Sequence, residues 1–455
     1  MGGRALVIGL GTSGRAAAKL LLTEGYDVHG FDSRPTTAPS TSLTACHLGG
    51  VTAPAAAYAS IDLLILSPGV PPGPHRALAQ EHSPNARVTG ELALALELAH
   101  QRWPDTPTVL ITGTNGKSTV TAMLGHLLEH AGMEPFVGGN LGVPLSAQLL
   151  KDSGHSPPGA LVLECSSYQL ETLATTPVDI AMVLNVSPDH LDRYDGLDHY
   201  AQTKGRIFSG LVDGGLALTY APDPRSRAFL PTSTTAAHVL VGGSDAPRLD
   251  ERGHLHIDDS WTLPREVLPL AGQHNAVNAL FALAAARHLG LSDATCEAGL
   301  RTFSGLPHRM QLVAEHAGIA YYDDSKATNV ASVVAMLDGF ERPVVLIAGG
   351  RAKKGDDLAP IANILSAQGR GLVAIGEAKQ AMLEMARGVV PTQGVETVAE
   401  AVLAAQAMAQ PGDAIVLSPA CASWDMFESF AHRGRAFREA VQQTISAAPS
   451  DASIT

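Results

Sequence analysis

The run Val109-Leu-Ile-Thr-Gly-Thr-Asn-Gly-Lys-Ser-Thr119 constrains this chain more than any other, because an apolar strand breaks into a glycine turn and restarts as a helix on a lysine and two hydroxyls. Such a turn is a cradle for nucleotide phosphates. Gly113 and Gly116 let the backbone approach an anion closely, Thr114 and Asn115 supply further N–H groups, and the N-terminal end of the following helix adds partial positive charge. Lys117 would reach the β- and γ-phosphates, and the hydroxyl of Ser118 or Thr119 would hold Mg²⁺. The general phosphate-loop pattern puts its first glycine where Ile111 stands, so this is the shortened form Gly-x-x-Gly-Lys-Ser.

Composition says what kind of molecule holds the cradle. At 455 residues, 45% hydrophobic, the chain is long enough for two to four compact domains with real cores. Lys plus Arg number 31 against 44 Asp plus Glu, and the net charge of -13 argues against a nucleic-acid surface and for small ligands held in local basic pockets. Cys46, Cys165, Cys296 and Cys421 show no C-x-x-C spacing and are too sparse for a disulfide framework, which fits a reducing cytoplasm. No signal-peptide pattern opens the chain, and the most apolar helical stretch, Ala279 to Ala286, stops at Arg287-His288, too short to span a bilayer. A soluble, monomeric enzyme without membrane insertion is expected.

Along the chain, apolar strands alternate with amphipathic stretches in a βαβ pattern, which predicts parallel α/β architecture. A first unit holds Ala5 to Ile8, a helix after Gly14, Tyr26 to Phe31 and Ile61 to Leu66, and a helix from Glu91 to His100 closes it near residue 95. A second continues from the cradle with Ala160 to Glu164 and Asp179 to Leu184, short apolar runs of the kind buried in parallel sheets. Thr302 to His308, with Gly305 and Pro307, reads as a linker to a third unit with strands at Tyr321-Tyr322, Pro343 to Ala348, Leu372 to Ile375 and Ala414 to Leu417. The tail after Ile445 is expected to fray.

In the first unit, Gly9-Leu-Gly11-Thr-Ser-Gly14 follows the first strand and Asp32 ends the second. Alone this would suggest a dinucleotide, but its physics licenses only a diphosphate on a helix N-terminus with an acid placed for a ribose or base, which a UDP-sugar satisfies equally. Ser67-Pro-Gly69 would line the same crevice. In the second unit, Glu164 at its strand end is a hard oxygen donor suited to Mg²⁺, and His190, beside Asp189, could bind a second ion or act as acid or base.

The ordered set Gly113 to Thr119, Leu163-Glu-Cys-Ser-Ser-Tyr-Gln-Leu-Glu171, Asn185-x-x-x-Asp-His-Leu-Asp-Arg-Tyr194, Gly272-Gln-His-Asn275, Leu306-Pro-His-Arg309, Asp324-Ser-Lys-Ala-Thr-Asn329 and Ser418-Pro-Ala-Cys-Ala-Ser-Trp-Asp425 resembles the Mur ligases over nearly the whole chain. The last two motifs favour the D-glutamate-adding branch of that family, and the Asp-Asn-Pro-Arg motif of the diaminopimelate- or lysine-adding branch is absent.

The resemblance implies three domains: a Rossmann-like UDP-substrate domain over residues 1–95, a central P-loop ATPase-like parallel-sheet domain over 96–304, and a Rossmann-like amino-acid domain over 305–455. It implies ATP-dependent peptidoglycan precursor synthesis, in which the carboxylate of UDP-N-acetylmuramoyl-L-alanine becomes an acyl phosphate that the amine of D-glutamate attacks through a tetrahedral intermediate. It further implies that Lys117 and the loop bind ATP phosphates, that Ser118 and Glu164 share one Mg²⁺ site, and that His190 serves a second. Asn275, Arg309 and Asp324 would hold the nucleotide, while Thr12, Ser13, Asp32, Ser33, Arg34, Gly69, Asn140 and Gln169 would contact the UDP-sugar. Lys326, Thr328, Lys353, Ser423 and Phe430 would bind D-glutamate. Gly349-Gly-Arg-Ala-Lys-Lys-Gly355 departs from the family's Gly-Gly-x-Asp-Lys-Gly, which leaves Lys353 and Lys354 as alternatives for the glutamate carboxylate, with Lys353 favoured by spacing. Lys204, in Gln202-Thr-Lys-Gly-Arg-Ile-Phe208, aligns with the lysine these ligases carry as a carbamate, an anion suited to facing Mg²⁺ where an ammonium is not.

Three other classes share parts of the pattern. A nicotinamide dehydrogenase shares the first glycine motif, a P-loop switch shares the cradle, and a folylpolyglutamate ligase shares the cradle but lacks a UDP-binding first domain such as residues 1–95 would form.

Overall fold

The computed structural model describes residues 2–35, 43–151, 156–231, 235–245, 247–270, 272–338, 340, 342–352 and 357–447. The first sheet contains β1 (Arg4–Ile8), β2 (Asp27–Asp32), β3 (Ala45–Leu48), β4 (Leu63–Leu66) and β5 (Arg87–Gly90) in the order β3-β2-β1-β4-β5. Every pairing in it is parallel. Successive residues of β1 serve opposite faces: Ala5 and Val7 pack with Ala17, Leu21 and Ile65, whereas Leu6 and Ile8 pack with Phe31, Tyr58 and Leu64. With both faces covered, the strand reads as an unbroken apolar run. The strand order reverses between β1 and β4, which is where an open α/β sheet forms its ligand crevice. The segments after these two strands are the Gly9–Gly14 turn and Ser67-Pro-Gly69.

The second sheet contains β6 (Thr108–Thr112), β7 (Phe136–Gly139), β8 (Leu161–Glu164), β9 (Val178–Val183), β10 (Leu211–Tyr220) and β11 (Ala237–Val241), again all parallel, in the order β11-β10-β9-β6-β8-β7. Ile111 of β6 lies opposite both Glu164 and Met182, and Thr112 lies opposite Val183. Three strand ends therefore meet at one edge, and the helix Lys117–His130 starts directly from it. The antiparallel strands β12 (Arg248–Leu249), β13 (Leu255–His256) and β14 (Thr262–Leu263) form a small separate sheet. Two-residue strands show no periodicity, so the sequence reading did not anticipate them.

The third sheet contains β15 (Gln311–His316), β16 (Ile319–Asp323), β17 (Val344–Gly349), β18 (Gly369–Ile375), β19 (Thr392–Gly394) and β20 (Ala414–Leu417) in the order β15-β16-β20-β17-β18-β19. Only β15 runs antiparallel. The chain forms two compact units, residues 1–267 with 277–302, and residues 268–276 with 303–455. The first two large sheets belong to the former and the third to the latter.

Each strand expected from the apolar runs is present, with ends shifted by a few residues at most, and the helix expected from Glu91 extends to Arg102. The final helix, Phe430–Ala447, continues past Ile445, and the rest of the tail lies outside the described residues. All four cysteines are free thiols, and among the described residues no helix is long and apolar enough to cross a membrane.

Gly14 sits in the first turn of the helix Thr12–Thr23, where a Cβ would run into the carbonyl oxygen of Gly9 and come within 2.6 Å of Ser67 Oγ. Gly11, with φ -71°, has nothing within 4 Å of such an atom. Gly14→Ala is expected to destabilise the protein by about 1–3 kcal/mol. Gly11→Ala should stay within about 0.5 kcal/mol of wild type. Thermal unfolding of the pair checks both.

Candidate active site

At the end of β6 the chain turns through Gly113 and Gly116, the latter at φ 83° immediately before the helix Lys117–His130. The loop is held by its neighbour after β9. Thr114 N donates to Asn185 O (2.9 Å), Asn115 N donates to Asn185 Oδ1 (2.9 Å), and Asn185 Nδ2 returns a bond to Asn115 O (3.1 Å). Lys117 folds back over the loop and donates to the carbonyls of Gly113 and Thr114, both at 2.8 Å. An ammonium resting on carbonyl oxygens at a helix N-terminus can exchange them for phosphate oxygens with little movement. Ser118 and Thr119 are buried beneath the turn. Asn278, which the sequence reading missed, packs against it: a Cβ on Gly116 would lie 2.5 Å from Asn278 Oδ1. Its place three residues after Asn275 on the helix Gln273–His288 was the available signal.

Glu164, buried at the end of β8, accepts a 2.5 Å hydrogen bond from Asn140 Nδ2 at Oε1. Lys204 is 1% exposed, and its Nζ donates to Gly113 O at 2.9 Å and to Thr112 Oγ1 at 3.4 Å. It also lies 4.5 Å from the centroid of the Tyr200 ring. Burial pulls the Lys204 amine well below the ordinary lysine pKa, and the Lys117 charge acts in the same direction, while Asp189, Cys165 and Glu164 oppose it. His190 adopts φ 54°, its backbone N–H donates to Asp189 Oδ1 at 3.0 Å, and its Nδ1 is 2.9 Å from Tyr168 OH. The Ser118 hydroxyl, the Glu164 carboxylate, the His190 imidazole and the buried Lys204 amine thus stand at or just after neighbouring strand ends of the second sheet.

In the first crevice, Asp32 is buried and fully engaged. Oδ2 accepts from Leu10 N (2.8 Å) and Arg34 Nη2 (2.8 Å), and Oδ1 accepts from Arg34 N and Nε, both at 2.9 Å. Ser67 Oγ donates to Gly9 O at 2.6 Å and ties the β4 turn to the glycine loop. Thr12, Ser33, Arg34 and Gly69 are exposed, and Ser13 is half-buried, around this crevice. The other two expected sugar contacts lie on the second sheet. Asn140 is bonded to Glu164 as above, and Gln169 Oε1 accepts from Ser166 N (2.9 Å) and Oγ (3.0 Å) in a capping box at the helix Ser167–Leu170.

The second unit gathers another set at the ends of β16 and β20, which pair with Asp323 opposite Leu417. Asp324 accepts from Ser418 Oγ (2.8 Å) and Met310 N (3.2 Å), and burial pushes its carboxyl up to about 7 against the opposing charge of Arg309. Lys326 Nζ lies 5.1 Å from the centroid of the Phe430 ring. Thr328 N donates to Lys326 O (2.9 Å), and Ser423 O accepts from Phe427 N (2.8 Å). Asn275 is buried in the first turn of its helix. Arg433, absent from the sequence candidates, is 1% exposed and donates to Ser325 Oγ, Ser325 O and Cys421 O at 2.9–3.1 Å. It braces the two loops that carry Lys326 and Ser423. Lys353 and Lys354 lie outside the described residues.

Family models match in order along the chain: the Mur ligase MurD-like N-terminal domain over residues 3–90, the Mur ligase middle domain over 111–286 and the Mur ligase glutamate ligase domain over 308–421. The chain is 38% identical over 463 residues to the UDP-N-acetylmuramoylalanine--D-glutamate ligase of Pelotomaculum thermopropionicum, covering 96% of this chain and 97% of that one. It is 39% identical over 467 residues to the ligase of the same name from Thiobacillus denitrificans, covering 97% and 96%. Its fold is similar to that of UDP-N-acetylmuramate-alanine ligase MurC from Thermotoga maritima, with a TM-score of 0.59 at 19% identity over 97% of this chain and 100% of that one. With the cradle, the strand-end carboxylate and the buried lysine inside segments matched from end to end, the chain belongs to the Mur ligase family.

Proposed function

We propose that this chain is an ATP-dependent ligase that joins D-glutamate to UDP-N-acetylmuramoyl-L-alanine in cytoplasmic peptidoglycan precursor synthesis. The observation that carries the reading is Lys204, a fully buried amine bonded to the same cradle carbonyl as Lys117. Phosphoryl transfer to a carboxylate would use one cation and one metal-binding anion at this edge. The relatives' shared name supports D-glutamate as the amine substrate. Four cysteines outside any disulfide support a reducing compartment. The proposed division into a UDP-substrate domain to residue 95, an ATP domain to 304 and an amino-acid domain beyond follows the family resemblance.

In this reading a carboxylate oxygen of the UDP-linked substrate attacks the γ-phosphorus of ATP, and ADP leaves. The amine of D-glutamate then forms the C–N bond, expelling phosphate and losing a proton. Lys117 and the helix N-terminus neutralise charge that develops on the transferring phosphoryl group. Ser118, Glu164, His190 and a Lys204 carbamate would hold Mg²⁺, which would supply charge neutralisation between the phosphates. The donor set fits a hard cation: a hydroxyl, a carboxylate and an imidazole are buried or half-buried at one edge, and the depressed Lys204 pKa favours the neutral amine that reacts with CO₂. Among the described residues no three His, Cys, Asp or Glu side chains close on one point, so substrate oxygens and the carbamate would complete the shell. Lys326, Thr328, Ser423 and Phe430, with Lys353, would receive the glutamate carboxylates, and Asn275, Arg309 and Asp324 the nucleotide. Thr12, Ser13, Asp32, Ser33, Arg34, Gly69, Asn140 and Gln169 would hold the UDP-sugar.

The decisive assay is phosphate release with each substrate omitted in turn. Release should require ATP, the UDP-linked substrate and D-glutamate together, and Lys117→Ala should lower it about a hundredfold or more. Release that neither substrate stimulates would exclude the ligase.

Lys204→Met should abolish ligation while leaving the ligand-free protein as stable as wild type or up to about 2 kcal/mol more so, because it removes a desolvated amine. Its partners stay satisfied: Gly113 O keeps Lys117, and Thr112 Oγ1 still donates to Cys165 O. Short carboxylic acids should restore part of the activity of Lys204→Ala. Full activity in either variant would remove the carbamate from the mechanism.

Asp324, with a folded pKa of about 7 and an unfolded value near 3.8, binds more protons folded than unfolded between those limits. Its contribution is therefore complete below the lower value and is lost as pH rises through the upper one. Urea unfolding should show Asp324→Asn gaining on wild type across that window, at most by about 1.4 kcal/mol per pH unit. A pH-independent difference would contradict the burial argument.

A further inference from the structure

Arg193 belongs to the motif Asn185 to Tyr194 but to none of the roles assigned above. Its guanidinium forks onto Glu171, with Nε 3.1 Å from Oε1 and Nη2 2.7 Å from Oε2, and Nη2 also donates to Val70 O at 3.0 Å. Its Cζ lies 5.1 Å from the centroid of the Tyr168 ring. The Arg193 and Glu171 side chains are only 15% and 13% exposed.

The two ends of this contact matter. Val70 closes the turn after β4, where its N–H donates to Ser67 O at 2.9 Å, and Ser67 in turn holds the glycine loop through Gly9 O at 2.6 Å. At the other end, Tyr168 OH is bonded to His190 Nδ1 at 2.9 Å, with the rings 4.9 Å apart. One guanidinium therefore joins the crevice of the first sheet to the imidazole beside the phosphate cradle of the second, between residues 123 apart in the chain.

A desolvated ion pair adds little net stability, so what this one contributes is the fixed geometry of its partners. Only a planar fork satisfies Glu171 and Val70 O while lying over Tyr168; an ammonium offers a point charge without that fixed geometry.

We infer that Arg193 is a positioning residue that sets the Ser67–Val70 turn relative to His190, so that the carboxylate of the UDP-linked substrate arrives in reach of the γ-phosphate. The inference rests on the proposed ligase reading. Arg193 acts through Val70, Glu171 and Tyr168, and it touches no reacting atom.

The test is steady-state ligation with ATP, D-glutamate and UDP-N-acetylmuramoyl-L-alanine varied separately, for wild type, Arg193→Ala, Arg193→Lys and Glu171→Gln. Arg193→Ala should lower kcat about a hundredfold, as expected for a misplacement of about 1 Å. It should raise KM for the UDP-linked substrate about tenfold, leave KM for ATP unchanged, and recover part of its turnover with added methylguanidinium. Arg193→Lys should fail nearly as badly, and Glu171→Gln should shift the same KM by a smaller factor. Normal kinetics in Arg193→Ala, full function in Arg193→Lys, or an equal rise in all three KM values would overturn the inference, the last by assigning Arg193 a purely structural role. If Arg193→Ala does not fold, the Lys and Gln variants decide it by the same criteria. Wild-type protein without ligase activity would overturn the underlying reading and this inference with it.

Discussion

Two amines donate to one carbonyl oxygen: Lys117 and Lys204 both end on Gly113 O, at 2.8 and 2.9 Å. Like charges this close in a buried setting cannot both be comfortable, and the cost falls on Lys204, which is desolvated as well. Much of the surrounding edge answers to this tension. Glu164 and Asp189 stand near enough to pull the amine back toward its charged form, Tyr200 offers it a ring face, and the Asn185 side chain keeps the cradle closed against it. A buried amine pulled well below the ordinary lysine pKa costs the fold stability, and costs of this kind are characteristic of functional sites.

The same architectural rule operates in each large sheet. Parallel strands deliver their carboxyl ends to one edge, and side chains too polar for the core collect there. In the first sheet the edge between β1 and β4 holds the Gly9–Gly14 loop and Ser67; in the second, β8, β6 and β9 bring Glu164, the cradle and Asn185 together; in the third, β16 and β20 bring Asp324 beside Ser418. The interior is left to aliphatic residues, and the polar groups at the edges are held by hydrogen bonds to neighbouring loops. Arg433 in the second unit illustrates the cost of this, since burial pulls its guanidinium down to about 10 although the charges of Asp425 and Asp323 oppose the shift.

Much of the candidate site was legible because it is local. The cradle spans seven consecutive residues whose types alone state a strand end, a φ-positive turn and a helix start, and Glu164 and Asn185 announce themselves by ending apolar runs. Asp32 was legible as an acid at a strand end but not as one already engaged by Arg34. Asn278, Arg193 and Arg433 were not legible, because an Asn or Arg in an amphipathic or irregular segment is ordinarily a solvated side chain, and only the fold reveals Asn278 and Arg433 as buried and Arg193 as half-buried on Glu171. The small antiparallel sheet and the reversed β15 escaped for a different reason: strands of two residues, or half-exposed ones, carry too little periodicity to separate from a loop.

The amino-acid sequence by itself determined the parallel α/β character, the order of the main elements and the chemistry available at each strand end, since backbone propensity, unbroken apolar runs and turn residues act over a few neighbouring positions. Tertiary structure decided which of those chemistries meet. Lys204 reaches Gly113 across 91 residues, and Arg193 reaches Val70 across 123. Such meetings depend on strand order and on the paths of the crossovers between strands. Those are properties of the packed whole, fixed by burying both faces of every sheet at once, and no local stretch of sequence contains them.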